Sequence, residues 1–162
     1  PTPSTPHATA KASASKQRFE GALPDIEIEA LDGHAKSLRE VTKGKVAVVD
    51  LWATWCSSCR EVSARAAELA KANNDPDLLV VGVAEGEEPD TISRFLGGAA
   101  PPYPIYVDHQ LDLADQIGSE EIPTILLVDR DGKVRAVLKR LDAAALQKLG
   151  ELLSEKHGVG VD

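Results

Sequence analysis

Residues 46–59 read Val-Ala-Val-Val-Asp-Leu-Trp-Ala-Thr-Trp-Cys-Ser-Ser-Cys and hold both cysteines of the chain, Cys56 and Cys59. They lie three positions apart, after an apolar run and before a helical pattern. The order strand, Cys-x-x-Cys, helix is what a dithiol redox site requires. A helix N-terminus carries partial positive charge and unpaired N–H groups. A sulfur placed there is stabilised as the thiolate, its reactive form. The second sulfur, one turn on, is close enough to close a disulfide. Cysteines that merely pack a core have no reason to sit one turn apart at a helix start, so the redox reading leads.

The rest of the chain suits one domain. Hydrophobic residues make up 43% and charged residues 27%, which is ordinary for a globular protein. The net charge is −8, and no basic cluster is visible. Phosphate binding needs such clusters, so nucleic acid is excluded as a main partner. No apolar run approaches the ~20 residues of a membrane-spanning helix. Residues 1–18 are mostly Pro, Ser, Thr and Ala, with no large apolar side chain. Nothing there offsets the entropy of ordering, so a flexible tether is expected, followed by one domain over 19–162. The chain starts with Pro and contains no Met, which points to a processed product. Such a tail is expected after a removed signal peptide or membrane anchor, and export is favoured.

Periodicity places the elements. Residues 26–31 read as a half-buried strand, and Asp32-Gly33 turns the chain into a short second strand. Ser37 and Glu40 have the spacing of a capping box for one helical turn. Residues 46–52 are apolar on both faces, the mark of a central strand covered on two sides. Residues 56–72 read as a helix with Val62, Ala66, Leu69 and Ala70 on one face. Residues 78–84 form another buried strand. Glu88 and Pro89 open a helix whose buried face is Ile92, Phe95 and Leu96. A short strand over 103–107 and a short helix over 111–117 follow. The strand at 125–128 turns through Asp131-Gly132 into an antiparallel edge strand over 133–138. Asp142 caps a last helix with Leu146, Leu149, Leu152 and Leu153 on its apolar face, and Lys156 and His157 suit its C-terminal dipole.

Asp50 interrupts the central strand six residues before Cys56. A carboxylate there is costly to bury ionised, so it is neutral, paired or reached by water. It is a candidate proton acceptor, and the plainer alternative is an Asp satisfied by local backbone donors. The four histidines, His7, His34, His109 and His157, are scattered, and no third Cys exists. Two thiolates supply only part of a tetrahedral site, so a Cu- or Zn-binding chaperone is the alternative from a different class, and no metal or other cofactor is expected.

VVDLWATWCSSC resembles the active-site strand and loop of the thioredoxin superfamily. Together with LPDIEIEALDGHAKSL, KGKVAVVDLWATWC and IPTILLVDRDGKV, it resembles the exported TlpA/ResA-like branch from about Leu23 to Leu138. The resemblance implies an α/β thioredoxin-like fold, a central mixed sheet flanked by helices, with an N-terminal β-hairpin extension. It implies Cys56 as nucleophile and Cys59 as resolving cysteine, with Trp55 flanking the site. Pro123 would be a cis-proline facing the disulfide, and the backbone of Ile122 would pair with an incoming peptide. Asp50 matches the buried aspartate of thioredoxins. Glu87 stands where the ResA-like branch places an active-site glutamate, and its alternative is a solvated loop carboxylate beside Glu85 and Glu88. Ser58 replaces the common proline before the second cysteine, so Ser57 and Ser58 set the thiolate environment. Their hydroxyls, if donated to Cys56, favour the thiolate and make the disulfide easier to reduce.

The implied activity is thiol–disulfide exchange with exported protein thiols, for example in apocytochrome c maturation. A membrane thiol reductase would be the electron donor, the location periplasmic, and the chain a monomer. A disulfide oxidant or isomerase is the runner-up.

Overall fold

The computed structural model describes residues 19–155. The expected tether at 1–18 and the expected helix-end cations Lys156 and His157 lie outside them. In chain order the elements are β1 (Gly21–Ala22), β2 (Glu27–Ala30), β3 (Ala35–Ser37), α1 (Leu38–Thr42), β4 (Val46–Trp52), α2 (Cys59–Ala72) and β5 (Leu78–Glu85). Then come α3 (Pro89–Leu96), β6 (Ile105–Asp108), α4 (Asp112–Ile117), β7 (Thr124–Val128), β8 (Lys133–Leu138) and α5 (Ala143–Ser154).

The strands form one sheet in the order β1-β8-β7-β4-β5-β6-β2-β3. β4, β5 and β6 run parallel, and the remaining neighbours are antiparallel. This is a mixed thioredoxin-like sheet with the β2–β3 hairpin added beyond β6. All seven residues of β4 are buried. Strand alternation sends Val46, Val48 and Trp52 to a core shared with α2, α3 and α5, and Ala47, Val49 and Leu51 to a core shared with α1 and α4. Each buried Val or Leu contributes about 1.5–3 kcal/mol, enough together for the strand to tolerate Asp50 in its middle.

Five expectations need correction. β8 is not an edge strand at its start: Gly21 and Ala22 pair with Val134 and Lys133 and cover its first two residues. Two residues between turn signals carry no period, so β1 is invisible to pattern reading. α2 begins at Cys59, and the residues before it form successive i→i+3 turns, with Cys59 N donating to Cys56 O at 3.2 Å and Arg60 N to Ser57 O at 3.2 Å. The strand expected from Tyr103 begins at Ile105, because Tyr103 turns its ring into the core. Leu146, expected on the apolar face of α5, is exposed. Phe95, expected on the buried face of α3, is half exposed and lies against Trp52, ring centroids 5.7 Å apart.

The caps follow their chemistry. Ser37 accepts from Glu40 N over 3.3 Å and Asp142 from Ala145 N over 3.0 Å. Glu88 occupies the cap position of α3 without a side-chain bond. At the C-terminus of α5, Arg130 donates to the carbonyls of Leu152, Leu153 and Glu155 and pairs with Asp77 over 3.1 Å. A cation from a distant turn thus satisfies carbonyls that the helix cannot pair itself.

Candidate active site

β4 ends at Trp52, and the turn 53–58 carries the chain into α2. Cys56 and Cys59 are joined in a disulfide, their Cα atoms 5.4 Å apart. Both sulfurs are shielded: Cys56 is 6% exposed and Cys59 1%. Trp55 stands out beside them at 73% exposed, and Ser57 and Ser58 are exposed. Ser58 Oγ lies 3.5 Å from Cys56 Sγ, and Ser57 has no such contact.

The loop before β7 approaches from the other side. The Ile122–Pro123 peptide bond is cis, and both residues are half-buried. Cys56 Sγ lies 3.9 Å from the Ile122 carbonyl oxygen. A groove of about 760 Å³ opens here, with Ser58 and Val62 on one wall and Pro123 and Arg140 on the other.

Asp50 is fully buried on the α2 side of the sheet. Its Oδ2 accepts from the Ser63 hydroxyl at 2.7 Å and the Tyr103 hydroxyl at 3.1 Å, and Oδ1 has no partner. Burial pushes its pKa up to about 6, and the Ser63 and Tyr103 bonds hold it from rising further. The donors are side chains from α2 and from the loop before β6, so the local-backbone alternative does not describe it. Burial beside Asp50 also pushes the Tyr103 hydroxyl well above the usual tyrosine range, keeping it a donor. Ser63 follows Cys59 by four residues, so both face the same way from α2. The carboxyl therefore sits one turn along the helix from the buried sulfur.

Glu87 follows β5 and Gly86. It is 8% exposed and takes both donors of Thr54, the backbone N–H at 2.8 Å and the hydroxyl in a short bond. Its carboxylate thus holds the turn two residues before Cys56. It is not a solvated loop carboxylate, whereas Glu88 is exposed.

Sequence reasoning missed Ser63, Tyr103 and Thr54. Ser63 had a signal in its spacing from Cys59. Tyr103 had none: it lies 53 residues from Asp50 and reaches it past Gly82, which pairs with Asp50 across β4 and β5. A Cβ at Gly82 would stand 3.0 Å from the Tyr103 ring. The two expected electrostatic partners of the sulfurs, Asp50 and Glu87, lie on different elements, and the turn 53–59 joins them.

Residues 19–141 match the Redoxin family. The chain is 26% identical over 115 residues to the thiol-disulfide oxidoreductase ResA of Geobacillus thermodenitrificans, covering 71% of this chain and 66% of that protein. It thus spans just under two thirds of that relative's length. The exposed lipoprotein thioredoxin of Streptococcus pneumoniae superposes with a TM-score of 0.66 at 29% identity, covering 80% of this chain and 100% of that one. A thiol-disulfide isomerase of Corynebacterium glutamicum, 24% identical, shares the fold with a TM-score of 0.67 over 83% of this chain and 98% of that one. With its Cys-x-x-Cys turn between β4 and α2, its mixed sheet and these matches, the chain belongs to the Redoxin family, as a thioredoxin-superfamily protein of the TlpA/ResA-like kind.

Proposed function

We propose that this chain is a thiol–disulfide oxidoreductase that reduces disulfides of exported proteins, apocytochrome c among the candidate substrates. The observation that carries the reading is the Cys56–Cys59 pair, closed as a disulfide beside the Ile122–Pro123 segment, with Ser58 and Pro123 lining the adjacent groove. The similarity to ResA proteins supports it.

The chemistry is thiol–disulfide exchange. The Cys56 thiolate attacks one sulfur of the substrate disulfide, a Cys56–substrate bond forms, and the other substrate sulfur leaves as thiolate. Cys59 then loses its proton to Asp50 and attacks Cys56 Sγ. The Cys56–Cys59 disulfide closes, and the second substrate sulfur leaves and takes up a proton. Cys59 is sealed from water, so a nearby buried acceptor titrating at about 6 suits the transfer near neutral pH. Glu87 serves by holding Thr54, and through it the Trp55–Cys56 turn; its two oxygens are already engaged. Trp55, Ser57, Ser58, Ile122 and Pro123 frame the substrate. A membrane thiol reductase would return the two electrons, and the N-terminal residues would tether the domain at the membrane face. Among the described residues no helix is long and apolar enough to cross a membrane.

One observation favours the runner-up, an oxidant or isomerase. Ser58 Oγ at 3.5 Å from Cys56 Sγ can donate to a thiolate, which stabilises the reduced form and raises the potential. Titration of the pair against a glutathione or dithiothreitol buffer decides. A potential near the roughly −270 mV of thioredoxin supports the reductant, and one above about −180 mV supports the oxidant or isomerase. Failure to form the disulfide at all would remove the redox reading.

A further inference from the structure

On the face of the sheet away from Asp50, a second groove of about 570 Å³ runs beside the active-site turn. Trp55, Leu111 and Ile122 form its apolar walls. Trp55 is largely exposed and Leu111 half exposed, so these walls are open to solvent. Leu111 is held at φ 64°, in the left-handed region that leucine rarely adopts. At the inner end lies Glu85, the last residue of β5. It is 3% exposed, yet neither carboxyl oxygen has a hydrogen-bond partner.

A buried carboxyl without partners costs free energy that the fold must offset elsewhere. The neighbouring elements make this one worse. Asp108 pairs with Glu85 across β5 and β6, and its oxygens already accept from Asp112 N at 3.0 Å and Leu113 N at 2.7 Å. Its charge therefore works against ionised Glu85, and the weak contacts that Glu85 makes with it and with the Ala114 backbone do not offset burial. Asp112 adds charge from the first turn of α4. Burial, then Asp108 and Asp112, push the Glu85 pKa up to about 9, so it is a neutral acid at pH 7. At the rim stand Asp115, Glu120 and Glu121, and no cationic side chain lines the groove. Apolar walls, an acidic rim and an unpaired acid at the inner end fit one kind of occupant: an aliphatic stem ending in a cation.

We propose that this groove takes a lysine or arginine side chain of the polypeptide substrate, its stem against Trp55, Leu111 and Ile122 and its cationic head on Glu85. The proposal rests on the redox reading of the neighbouring cysteines and adds to it a substrate preference: a basic residue flanking the target cysteine. Docking the cation makes Glu85 give up its proton to solvent, so the preference strengthens as the pH rises.

The test uses the reduced protein and short peptides whose single cysteine is in a mixed disulfide with thionitrobenzoate. Cys56 attacks the peptide sulfur and the coloured thiolate leaves, which reports the rate. Peptides carry arginine, or its neutral isostere citrulline, on either side of the cysteine. In the wild type the arginine peptide should react roughly tenfold faster at pH 7, a preference of about 1.4 kcal/mol. The ratio should grow from about pH 6 to about pH 9. In E85Q the ratio should fall towards one. Glutamine and the protonated acid are both neutral at pH 7, so attraction by the protein's overall negative charge is the same in both proteins. Equal rates for the two peptides in the wild type, a ratio flat with pH, or a ratio undiminished in E85Q would each overturn the proposal. The first two measurements need no variant. Release from neither peptide by fully reduced protein would instead strike down the redox reading, and the groove's role with it.

Discussion

Ser63 donates its hydroxyl to Asp50 Oδ2 over 2.7 Å, four residues along α2 from Cys59. This bond ties the helix that carries the buried sulfur to the carboxyl on the central strand, and Tyr103 secures the same oxygen from the far side. With Oδ1 unpaired, the site holds a carboxyl that is partly solvated by hydroxyls and partly starved of donors.

Asp50→Asn tests that balance. Native Asp50 holds its proton more tightly than the unfolded chain does, so its contribution to stability is present at acid pH and lost as the pH rises from about 4 to about 6. The loss is about 3 kcal/mol. The variant should therefore gain about 1–3 kcal/mol over the wild type at pH 8 in urea unfolding, and the gain should vanish below about pH 4. In stopped-flow assays of mixed-disulfide collapse it should resolve about 10²-fold more slowly, with alkylation of Cys56 nearly unchanged. Unchanged resolution above pH 7 would remove Asp50 from the mechanism.

Gly82→Ala should disturb the same carboxyl from the neighbouring strand. The new methyl would stand 3.0 Å from the Tyr103 ring and 3.1 Å from Trp52 Nε1. Both side chains are buried, so something must shift, at a cost of about 1–3 kcal/mol. A displaced Tyr103 no longer donates to Asp50, and the Asp50 pKa should rise further. Carbon-detected NMR titration of the Asp50 carboxyl reads this directly, and an unmoved titration would show that the ring relaxes without losing its bond.

Glu87→Gln leaves one acceptor oxygen where two Thr54 donors converge, and it aims an amide at the other. One Thr54 donor is left unsatisfied, at a cost of about 1–3 kcal/mol. Thermal unfolding should show the loss. Native-state hydrogen exchange should show faster exchange at the Thr54 amide, which is protected only by Glu87 Oε1. Wild-type protection at that amide would argue that the turn holds itself.

Arg130→Met keeps the aliphatic stem and removes the donors that reach Leu152, Leu153, Glu155 and Asp77. Hydrogen bonds from a charged group contribute about 1.5–3 kcal/mol, and several of these are shielded, so a loss of about 2–3 kcal/mol is expected. Exchange should accelerate at the C-terminal amides of α5 before it does at β4. Uniform acceleration across both would mean that the helix end and the sheet open together.

The sequence made the middle of the sheet readable because β4, β5 and β7 are continuous apolar runs buried on both faces, a pattern that surface strands lack. The cysteine turn was equally plain from its spacing. The start of α2 was misplaced because the turns at 56–58 differ from helix only in their i→i+3 bonds. β1 and the exposure of Leu146 depend on what packs against them, which no local window contains. The partners of Asp50 are hidden for the same reason: Tyr103 arrives from 53 residues away, through space that Gly82 leaves empty. Glu85 hid among Glu87 and Glu88, since a run of carboxylates reads as solvated until one of them proves to be the end of a buried strand.

The alternation of a pleated sheet has one more effect. Asp50 shares a face with Val46, Val48 and Trp52, and Glu85 shares the opposite face with Val81 and Val83. The two awkward acids of this domain are thus set on opposite faces, with a layer of backbone between them. Substitutions at positions 63, 82 or 103 reach one, and those at 108, 111 or 115 reach the other. A lineage, or a protein engineer, can adjust the sulfurs through Asp50 without touching Leu111 or Asp115, whereas Ile122 lines both grooves and any change there is felt in both.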